Sequence, residues 1–230
     1  MKSILKLALF LSFTSLLSNC SERPKLNLER IEGKRITIDS TIPANPNIEK
    51  FIIPYRKELD ENMQKVLSIA PFNFVKNDGE LQSTLGNLLA DLSYEMANPK
   101  FFKKTNKNIN FVLMNSGGLR APIPKGEVTT ENAYLLMPFD NELLVTKLPG
   151  VKVKELFNYF VRNRSAHPLS EQIELVVDED KFNLKINGES FDESKSYYVL
   201  TNDYLQSGGD GMTFFSNPEE LISLDYKVRD

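Results

Sequence analysis

A polar, glycine-rich stretch follows a strand-like run near the end of this sequence. Tyr197 to Leu200 are apolar, and the ten residues from Asn202 to Gly211 include Tyr204, two adjacent glycines and Asp210. Paired glycines let a bound molecule approach the main chain, tyrosine offers a flat stacking face, and aspartate offers two acceptor oxygens. The stretch therefore predicts a loop that binds a nucleoside. The alternative is an ordinary turn, of which Gly-Gly-Asp-Gly is equally typical.

A second strand-like run ends in comparable chemistry. Ile109 to Met114 predict a buried strand that leads directly into Asn115, Gly117, Gly118 and Arg120. An asparagine amide both donates and accepts at the edge of a base, and glycines expose their backbone N–H groups. The planar guanidinium of arginine suits phosphate or carboxylate.

A third segment adds another aromatic ring. Leu136 to Asn141 contain Phe139, and Pro138 stiffens the chain just before it. Phe139 and Tyr204 together supply two planes, and two planes can sandwich one base. The three segments predict one binding site.

Four motifs, in order, resemble the C-terminal, substrate-binding domain of the 5'-nucleotidase family. Members of that family hydrolyse nucleotides and UDP-sugars in the periplasm and at the cell surface. The motifs are Leu85 to Asp91, Asn115 to Arg120, Met137 to Phe139, and Asp203 to Leu205 leading into Gly208 to Gly211. The resemblance covers residues 42–215. It implies an α+β domain with a mixed β-sheet and packed helices.

The resemblance implies a role for the two rings and the carboxylate. Phe139 and Tyr204 match the two aromatic positions that clamp the base, and stacking is worth about 1–3 kcal/mol per base. Tyrosine in place of the commoner phenylalanine keeps the stacking face. Asp210 matches the carboxylate that accepts from ribose hydroxyls. The alternatives are that both rings belong to the core and that Asp210 only forms a turn.

The resemblance also implies roles for the segment after the first strand. Asn115 matches an asparagine near the base edge, and Gly117 and Gly118 match glycines beneath it. Arg120 matches an arginine directed toward the polar end of the nucleotide, although a surface ion pair would explain it equally.

One motif position departs from the family. Relatives often carry another arginine near the end of the helix that opens with Gly-Asn-Leu, where this chain has Tyr94 to Pro99. The set of cationic side chains that would hold the phosphate is then incomplete, and the affinity for phosphate is expected to be weak. Lys100, Lys103 or Lys104, or the metal ions of another chain, are the candidates to replace the charge.

No catalytic residue and no metal site is predicted in this chain. Family members carry their metal ions and catalytic Asp-His pair in a separate N-terminal metallophosphatase domain, and a two-metal site needs several His, Asp and Asn ligands. The single histidine, His167, lies in the polar stretch from Arg164 to Pro168, which predicts a surface position. The chain alone is expected to hydrolyse nothing, with divalent metals only in a partner.

Composition argues against a nucleic-acid partner. The formal net charge of the 230 residues is -3, whereas proteins that bind polyanions usually present a basic face. Beyond the N-terminal segment, no stretch is long and apolar enough to cross a bilayer.

The N-terminus predicts export and an anchor. Lys2 and Lys6 flank the start of an apolar region of signal-peptide length that ends at Cys20, the only cysteine of the sequence. The sequence before Cys20 resembles the lipobox of bacterial lipoproteins, although Asn19 is larger than usual there. Plain secretion and an uncleaved anchor are therefore alternatives to lipidation.

These features predict three parts. A lipoprotein signal peptide occupies 1–19, a charged linker after the lipidated cysteine occupies 20–40, and the domain occupies 41–230. The expected location is the bacterial cell envelope, as a lipid-anchored periplasmic or outer-membrane lipoprotein.

Hydrophobic spacing predicts the scaffold. Asn47 to Ile69 are expected to form one long helix with a packed apolar stripe and a kink at Pro54, and Ser83 to cap a second helix. The second helix is expected to turn five apolar residues to one side: Leu85, Leu88, Leu89, Leu92 and Met96.

Other parts of the scaffold follow from the same spacing. Asn87 and Asp91 share a face of the second helix, where hydrogen bonds to another element are favoured over ligand contact. The further predictions are a strand at 143–148, a helix at 151–160, and strands at 172–177 and 182–186 before the Asn187-Gly188 reversal.

Two functions of different kinds fit these observations. In the first, the chain is the nucleotide-recognition half of a split 5'-nucleotidase, and a separately encoded metallophosphatase completes the active site. In the second, it is a non-catalytic nucleoside- or nucleotide-binding lipoprotein. A purely structural role explains the fold but not three ligand-type loops.

Overall fold

The computed structural model of this chain describes residues 28–179 and 181–230. They belong to two units that divide between Lys50 and Phe51. Residues 28–45 of the first unit are exposed and form neither helix nor strand. The predicted signal peptide and Cys20 lie outside the described residues, so the boundaries 1–19, 20–40 and 41–230 stay predictions.

Helices and strands are interspersed along the described part of the chain, and three short 3-10 turns accompany them. They are α1 (Pro46–Met63), β1 (Val66–Ala70), α2 (Thr84–Thr105), β2 (Phe111–Val112), β3 (Gly126–Thr129), α3 (Thr130–Leu136), β4 (Glu142–Pro149), α4 (Gly150–Asn163), β5 (Ile173–Asp178), β6 (Lys181–Ile186), β7 (Glu189–Ser190), β8 (Ser196–Asn202), α5 (Asp203–Gln206) and β9 (Glu220–Lys227), with 3-10 turns at Ser116–Gly118, Gly209–Gly211 and Thr213–Phe215. Among these helices, none combines the length and the apolar character that a membrane span requires.

The central sheet has the strand order β2-β8-β4-β9. β2 runs parallel to β8, and β4 runs antiparallel to both β8 and β9, so the sheet is mixed. Two small antiparallel sheets, β1-β3 and β5-β6-β7, accompany it. The predicted α+β class with a mixed sheet is confirmed.

Helices cover both faces of the central sheet because successive side chains of a strand point to opposite sides. On one face Phe111 and Val199 pack in a cluster with Phe157 of α4. On the other face Val112 and Leu200, one residue further along each strand, pack with Phe101 of α2. Both layers hold the ends of β2 and β8 rigidly.

The start of α2 follows the prediction, and its buried face does so in part, because Leu85 of the predicted stripe is buried. The Ser83 hydroxyl accepts from the Gly86 amide at 3.1 Å and caps the helix as expected. The helix buries Ala90, Ala97 and Phe101 completely, whereas Leu92 and Met96 of the predicted stripe are about half exposed. Beyond Leu85, the buried positions of α2 are the small residues Gly86, Ala90, Ser93 and Ala97 together with Phe101.

The long helix predicted for Asn47 to Ile69 is wrong at its C-terminal end. α1 ends at Met63, and Val66 to Ala70 form β1, whose main chain pairs with β3. Pairing with a distant strand overrides the local helical periodicity there. The predicted packing is also wrong, because α1 has no buried residue and Phe51 and Tyr55 are 68% and 62% exposed.

The remaining predicted elements are present with bounds shifted by one to three residues. Strand 143–148 is within β4, helix 151–160 is within α4, and strands 172–177 and 182–186 correspond to β5 and β6. Asn187 and Gly188, with φ of 54° and 78°, turn the chain from β6 into β7. The sequence did not predict β3, α3 or β9.

Candidate functional site

The sheet topology brings three segments to one edge. β2 and β8 are parallel, so their carboxyl ends lie side by side, and Leu143 near the start of antiparallel β4 pairs with Asn202 at the end of β8. We call residues 115–120 after β2 the first tip, residues 136–141 before β4 the second tip, and residues 203–211 after β8 the third tip. All the site residues that the sequence predicts lie in these tips.

A buried amide pair joins β8 to the first tip. Asn202 Nδ2 donates to Asn115 Oδ1 at 3.0 Å, and the two residues are only 1% and 9% exposed. Asn202 Oδ1 in turn accepts from the Leu205 amide at 2.9 Å and caps α5. One side chain therefore ends the strand, starts the third tip and fixes the first. The sequence motif included Asn202 but gave no sign of this role.

Two further hydrogen bonds connect the second tip to the first tip and to the third tip. The Arg120 amide donates to the Leu136 carbonyl at 2.9 Å and joins the first tip to the second. Asn141 Nδ2 donates to Asp203 Oδ1 at 2.8 Å and joins the second to the third. The second tip is thus bonded directly to both others, and Asn202 at the end of β8 links the first tip to the third.

The two aromatic residues lie at the surface. Phe139 is 45% exposed and Tyr204 is 42% exposed, so neither ring belongs to the core. Tyr204 lies against Gly209, where an added Cβ would come 2.5 Å from Tyr204 Cε1. Only glycine allows this close approach of the ring to its own loop.

Asp210 is held by two tyrosines. The Tyr204 hydroxyl donates to Asp210 Oδ1 at 2.8 Å and accepts from the Asp210 amide at 3.3 Å. The Tyr159 hydroxyl of α4 donates to the Asp210 carbonyl at 2.9 Å. The hydrogen bond to the carboxylate raises the pKa of the Tyr204 phenol above its ordinary value. Sequence reasoning assigned Tyr204 only a stacking face and missed its hydroxyl.

The first tip presents fewer amides than the sequence predicts. Gly118 is buried and its amide donates to the Asn115 carbonyl at 3.1 Å, within the 3-10 turn. A Cβ there would lie 3.4 Å from Asn115 Oδ1, so the glycine makes room for the Asn115–Asn202 pair. Gly117 and Arg120 are exposed. In the part of the chain that the structure describes, the Arg120 guanidinium forms no hydrogen bond and no ion pair. The alternative that Arg120 forms a surface ion pair is therefore not supported.

The predicted surface position of His167 is wrong. His167 is only 6% exposed. Its Nδ1 accepts from the Ser116 amide at 3.2 Å, so the buried imidazole is hydrogen-bonded to the main chain of the first tip. The segment around it is drawn inward because the Met114 amide donates to the Pro168 carbonyl at 3.0 Å. Burial lowers the pKa of His167, although the Asp210 charge and the Met114 backbone oppose this shift. A polar loop composition gave no sign of these long-range contacts.

The lysines proposed to replace the absent arginine are engaged elsewhere in two cases. Lys104 pairs with Asp225 at 2.8 Å, and the Lys100 ammonium lies 4.4 Å from the centre of the Tyr226 ring; both partners belong to β9. In residues 28–179 and 181–230 no cluster of three or more His, Cys, Asp or Glu side chains is arranged for a metal ion.

A cavity of about 550 Å³ lies away from the three tips. It is lined by α2 and the segment before β5, including Asn87, Asp91 and Glu171. Asp91 Oδ1 accepts from the Glu171 amide at 2.8 Å, which confirms the predicted hydrogen bond between elements for Asp91. Asn87 Nδ2 instead donates to Gln82 Oε1, just before α2, at 3.3 Å.

Comparison with known proteins matches this chain to 5'-nucleotidases. The family model described as 5'-nucleotidase, C-terminal domain, matches residues 62–217, a range that contains all three tips. The protein UshA of Escherichia coli is 25% identical over 190 residues, which cover 75% of this chain and 34% of UshA. Human 5'-nucleotidase is 26% identical over 227 residues, which cover 86% of this chain and 38% of the human protein.

A solved structure shows the same fold. The 5'-nucleotidase precursor of Thermus thermophilus superimposes with a TM-score of 0.61 at 23% identity, over 79% of this chain and 38% of that one. In each of these three comparisons this chain spans little more than a third of the length of its relative.

Loss of the buried amide pair should destabilise the domain. We expect Asn202→Ser to lower the free energy of unfolding by about 1–3 kcal/mol, because serine still caps α5 but leaves the buried Asn115 Oδ1 without a donor. Urea unfolding measures the change. Asn141→Ser, which removes a partly exposed amide bond between tips, is the control and should cost less. Equal effects would mean that burial of the pair is unimportant.

The buried histidine should make stability depend on pH. The folded pKa of His167 lies below its ordinary value of about 6.5, so the unfolded chain binds the proton first as pH falls. The contribution of neutral His167 to stability is complete above about pH 6.5, and we expect it to be lost as pH falls from there toward the folded pKa. Urea unfolding across this window, compared with His167→Asn, measures it. An unchanged pH dependence in the variant would contradict the assignment.

Proposed function

The chain belongs to the family of 5'-nucleotidase C-terminal domains, and on that basis we propose that its three tips bind a nucleotide or nucleoside. We propose further that it is the recognition component of a split 5'-nucleotidase, in which a separate metallophosphatase chain supplies the metal ions that cleave the phosphoester. The observation that carries the proposal is that hydrogen bonds connect the three tips. The connected tips carry two exposed rings, a carboxylate and a guanidinium at one edge of the sheet.

The base would stack between Phe139 and Tyr204. Both rings expose close to half of their surface, and a bound base would remove that apolar surface from water. Stacking is tolerant of base identity because every base has a π-face. The rings alone therefore favour nucleobases as a class over any one base.

Polar groups around the rings would orient the rest of the ligand. Because Asn115 Oδ1 accepts from Asn202 Nδ2, the Nδ2 group of Asn115 remains available to donate to an acceptor at the base edge. The exposed amide of Gly117 lies in the same tip. Asp210 would accept from the ribose hydroxyls, and Arg120 would meet the phosphate end with its fork of donors.

A partner is proposed for the chemistry itself. Hydrolysis by a two-metal centre needs several ligands to two ions and an activated water, and the sequence contains a single histidine, which is buried. Holding base and ribose while another chain polarises the phosphoryl group would contribute orientation, which is a large part of catalysis. Lipidation of Cys20 would keep this component in the bacterial envelope, where exported substrates and partners meet it.

A nucleoside-binding lipoprotein without chemistry is the second candidate. It is favoured by the fact that all the residues proposed above to contact the ligand belong to this one chain, so that binding needs no residue of a partner. The two candidates share the site and differ only in what docks beside it.

Reconstitution distinguishes them. We expect the purified chain to release no phosphate from AMP, and a mixture with a metallophosphatase from the same cell to release more than that partner alone, because the chain positions the nucleotide. Phosphate release is measured for each component and for the mixture. Hydrolysis by the chain alone would contradict the proposal. Nucleoside binding without any synergy would favour the second candidate.

Removal of one ring should weaken binding without loss of stability. We expect Phe139→Ala to reduce nucleoside affinity about 5- to 150-fold, corresponding to the stacking energy of one base, while the free energy of unfolding changes by less than about 0.5 kcal/mol. Calorimetric titration and urea unfolding measure the two effects.

Phe72→Ala is the matched control for that substitution. Phe72 is 49% exposed, comparable to Phe139, but lies outside the tips. Its removal should leave affinity unchanged. Unaltered nucleoside affinity in Phe139→Ala would show that the ring does not contact the base.

A further inference from the structure

We propose that Tyr204 is a positioning residue as well as a stacking surface. Its hydroxyl holds the Asp210 carboxylate in the orientation that accepts ribose hydroxyls, so that the ring and the carboxylate act as one unit. This inference rests on the proposed nucleoside-binding function and adds to it a determinant of sugar recognition.

The contacts of the hydroxyl are directed at one residue. It donates to Asp210 Oδ1 at 2.8 Å and accepts from the Asp210 amide at 3.3 Å, so it uses both of its hydrogen-bonding roles on the same residue. A donor on a carboxylate is a charge-assisted bond, stronger than a bond between neutral groups. The raised pKa of the Tyr204 phenol is consistent with this bond.

The loop is built to bring these two groups together. Gly208 has a φ of 95° and Asp210 a φ of 53°, which fold the chain back toward the tyrosine. The close approach of the Tyr204 ring to Gly209 has no room for a side chain there. Together these features bring the hydroxyl within hydrogen-bonding distance of the carboxylate.

Two tyrosines hold Asp210, but only one of them contacts its carboxylate. The Tyr159 hydroxyl donates to the Asp210 carbonyl at 2.9 Å and ties the turn to α4, but does not touch the carboxylate. Tyr204 alone, among the residues that the structure describes, donates a side-chain hydrogen bond to the carboxylate. Removal of the Tyr204 hydroxyl therefore frees the carboxylate while the turn keeps its tether.

The carboxylate retains capacity for a ligand. Two carboxylate oxygens offer about four acceptor sites, of which Tyr204 uses one on Oδ1. In the described residues Oδ2 has no hydrogen-bond partner. Two neighbouring ribose hydroxyls can therefore be accepted while the Tyr204 bond persists, and the carboxylate does not have to be ordered when the sugar arrives.

The test removes the hydroxyl and compares sugars. In Tyr204→Phe we expect affinity for adenosine and uridine to fall about 3- to 10-fold, whereas affinity for their 2',3'-dideoxy analogues stays unchanged, because those ligands offer Asp210 no hydroxyl. Calorimetric titration measures all four ligands, and thermal unfolding checks that the variant is folded. In an Asp210→Ala background, which has no side-chain acceptor for Tyr204 or for the sugar, the same substitution should have no further effect on adenosine.

Tyr159→Phe is the matched control. It deletes a hydroxyl from the same turn without touching the carboxylate, so it should not discriminate between the ribose and dideoxyribose ligands. Equal losses for both kinds of ligand in Tyr204→Phe, no loss, or tighter adenosine binding would each overturn the inference. If the unaltered chain bound none of the four nucleosides, the proposed function itself would be wrong, and the inference with it.

Discussion

The hydrogen bond between the Asn202 and Asn115 side chains is the constraint on which the candidate site depends. A buried amide is costly unless its polar atoms are paired, and here each amide is almost fully enclosed. The two strands that carry them must therefore end side by side with their tips in one arrangement. Because Asn202 also caps α5, that arrangement extends to Tyr204 and Asp210.

The scaffold and the tips have different roles: the packed sheet positions the strand ends, and the tips expose the polar and aromatic groups. Completely buried side chains such as Val145, Val199 and Leu200 fix the central sheet between α2 and α4, so the strand ends have little freedom. The tips then expose groups that a packed core excludes: two rings, a carboxylate and a guanidinium. Glycines at positions 118 and 209 allow the close contacts that this arrangement needs. This combination is what the proposed ligand recognition at the edge of the sheet requires.

Local sequence patterns predicted much of the fold and located the three tips of the candidate site. Polar and glycine residues after apolar runs located the tips, and alternation or helical spacing located β4, α4, β5 and β6. The predictions failed where distant contacts decide. The residues of β1 have helical spacing but pair with β3, and His167 lies in a polar segment that folds under the first tip. The Asn202–Asn115 bond joins residues 87 positions apart, which no local pattern encodes.

The central claim is that the three tips form one nucleoside-binding site, and a crystal structure of the chain with adenosine tests it most directly. We expect the base between Phe139 and Tyr204, the Asn115 amide at the base edge, and the ribose hydroxyls on Asp210, with the Tyr204–Asp210 bond intact. An empty site at saturating adenosine, or a nucleoside bound elsewhere on the domain, would contradict the claim.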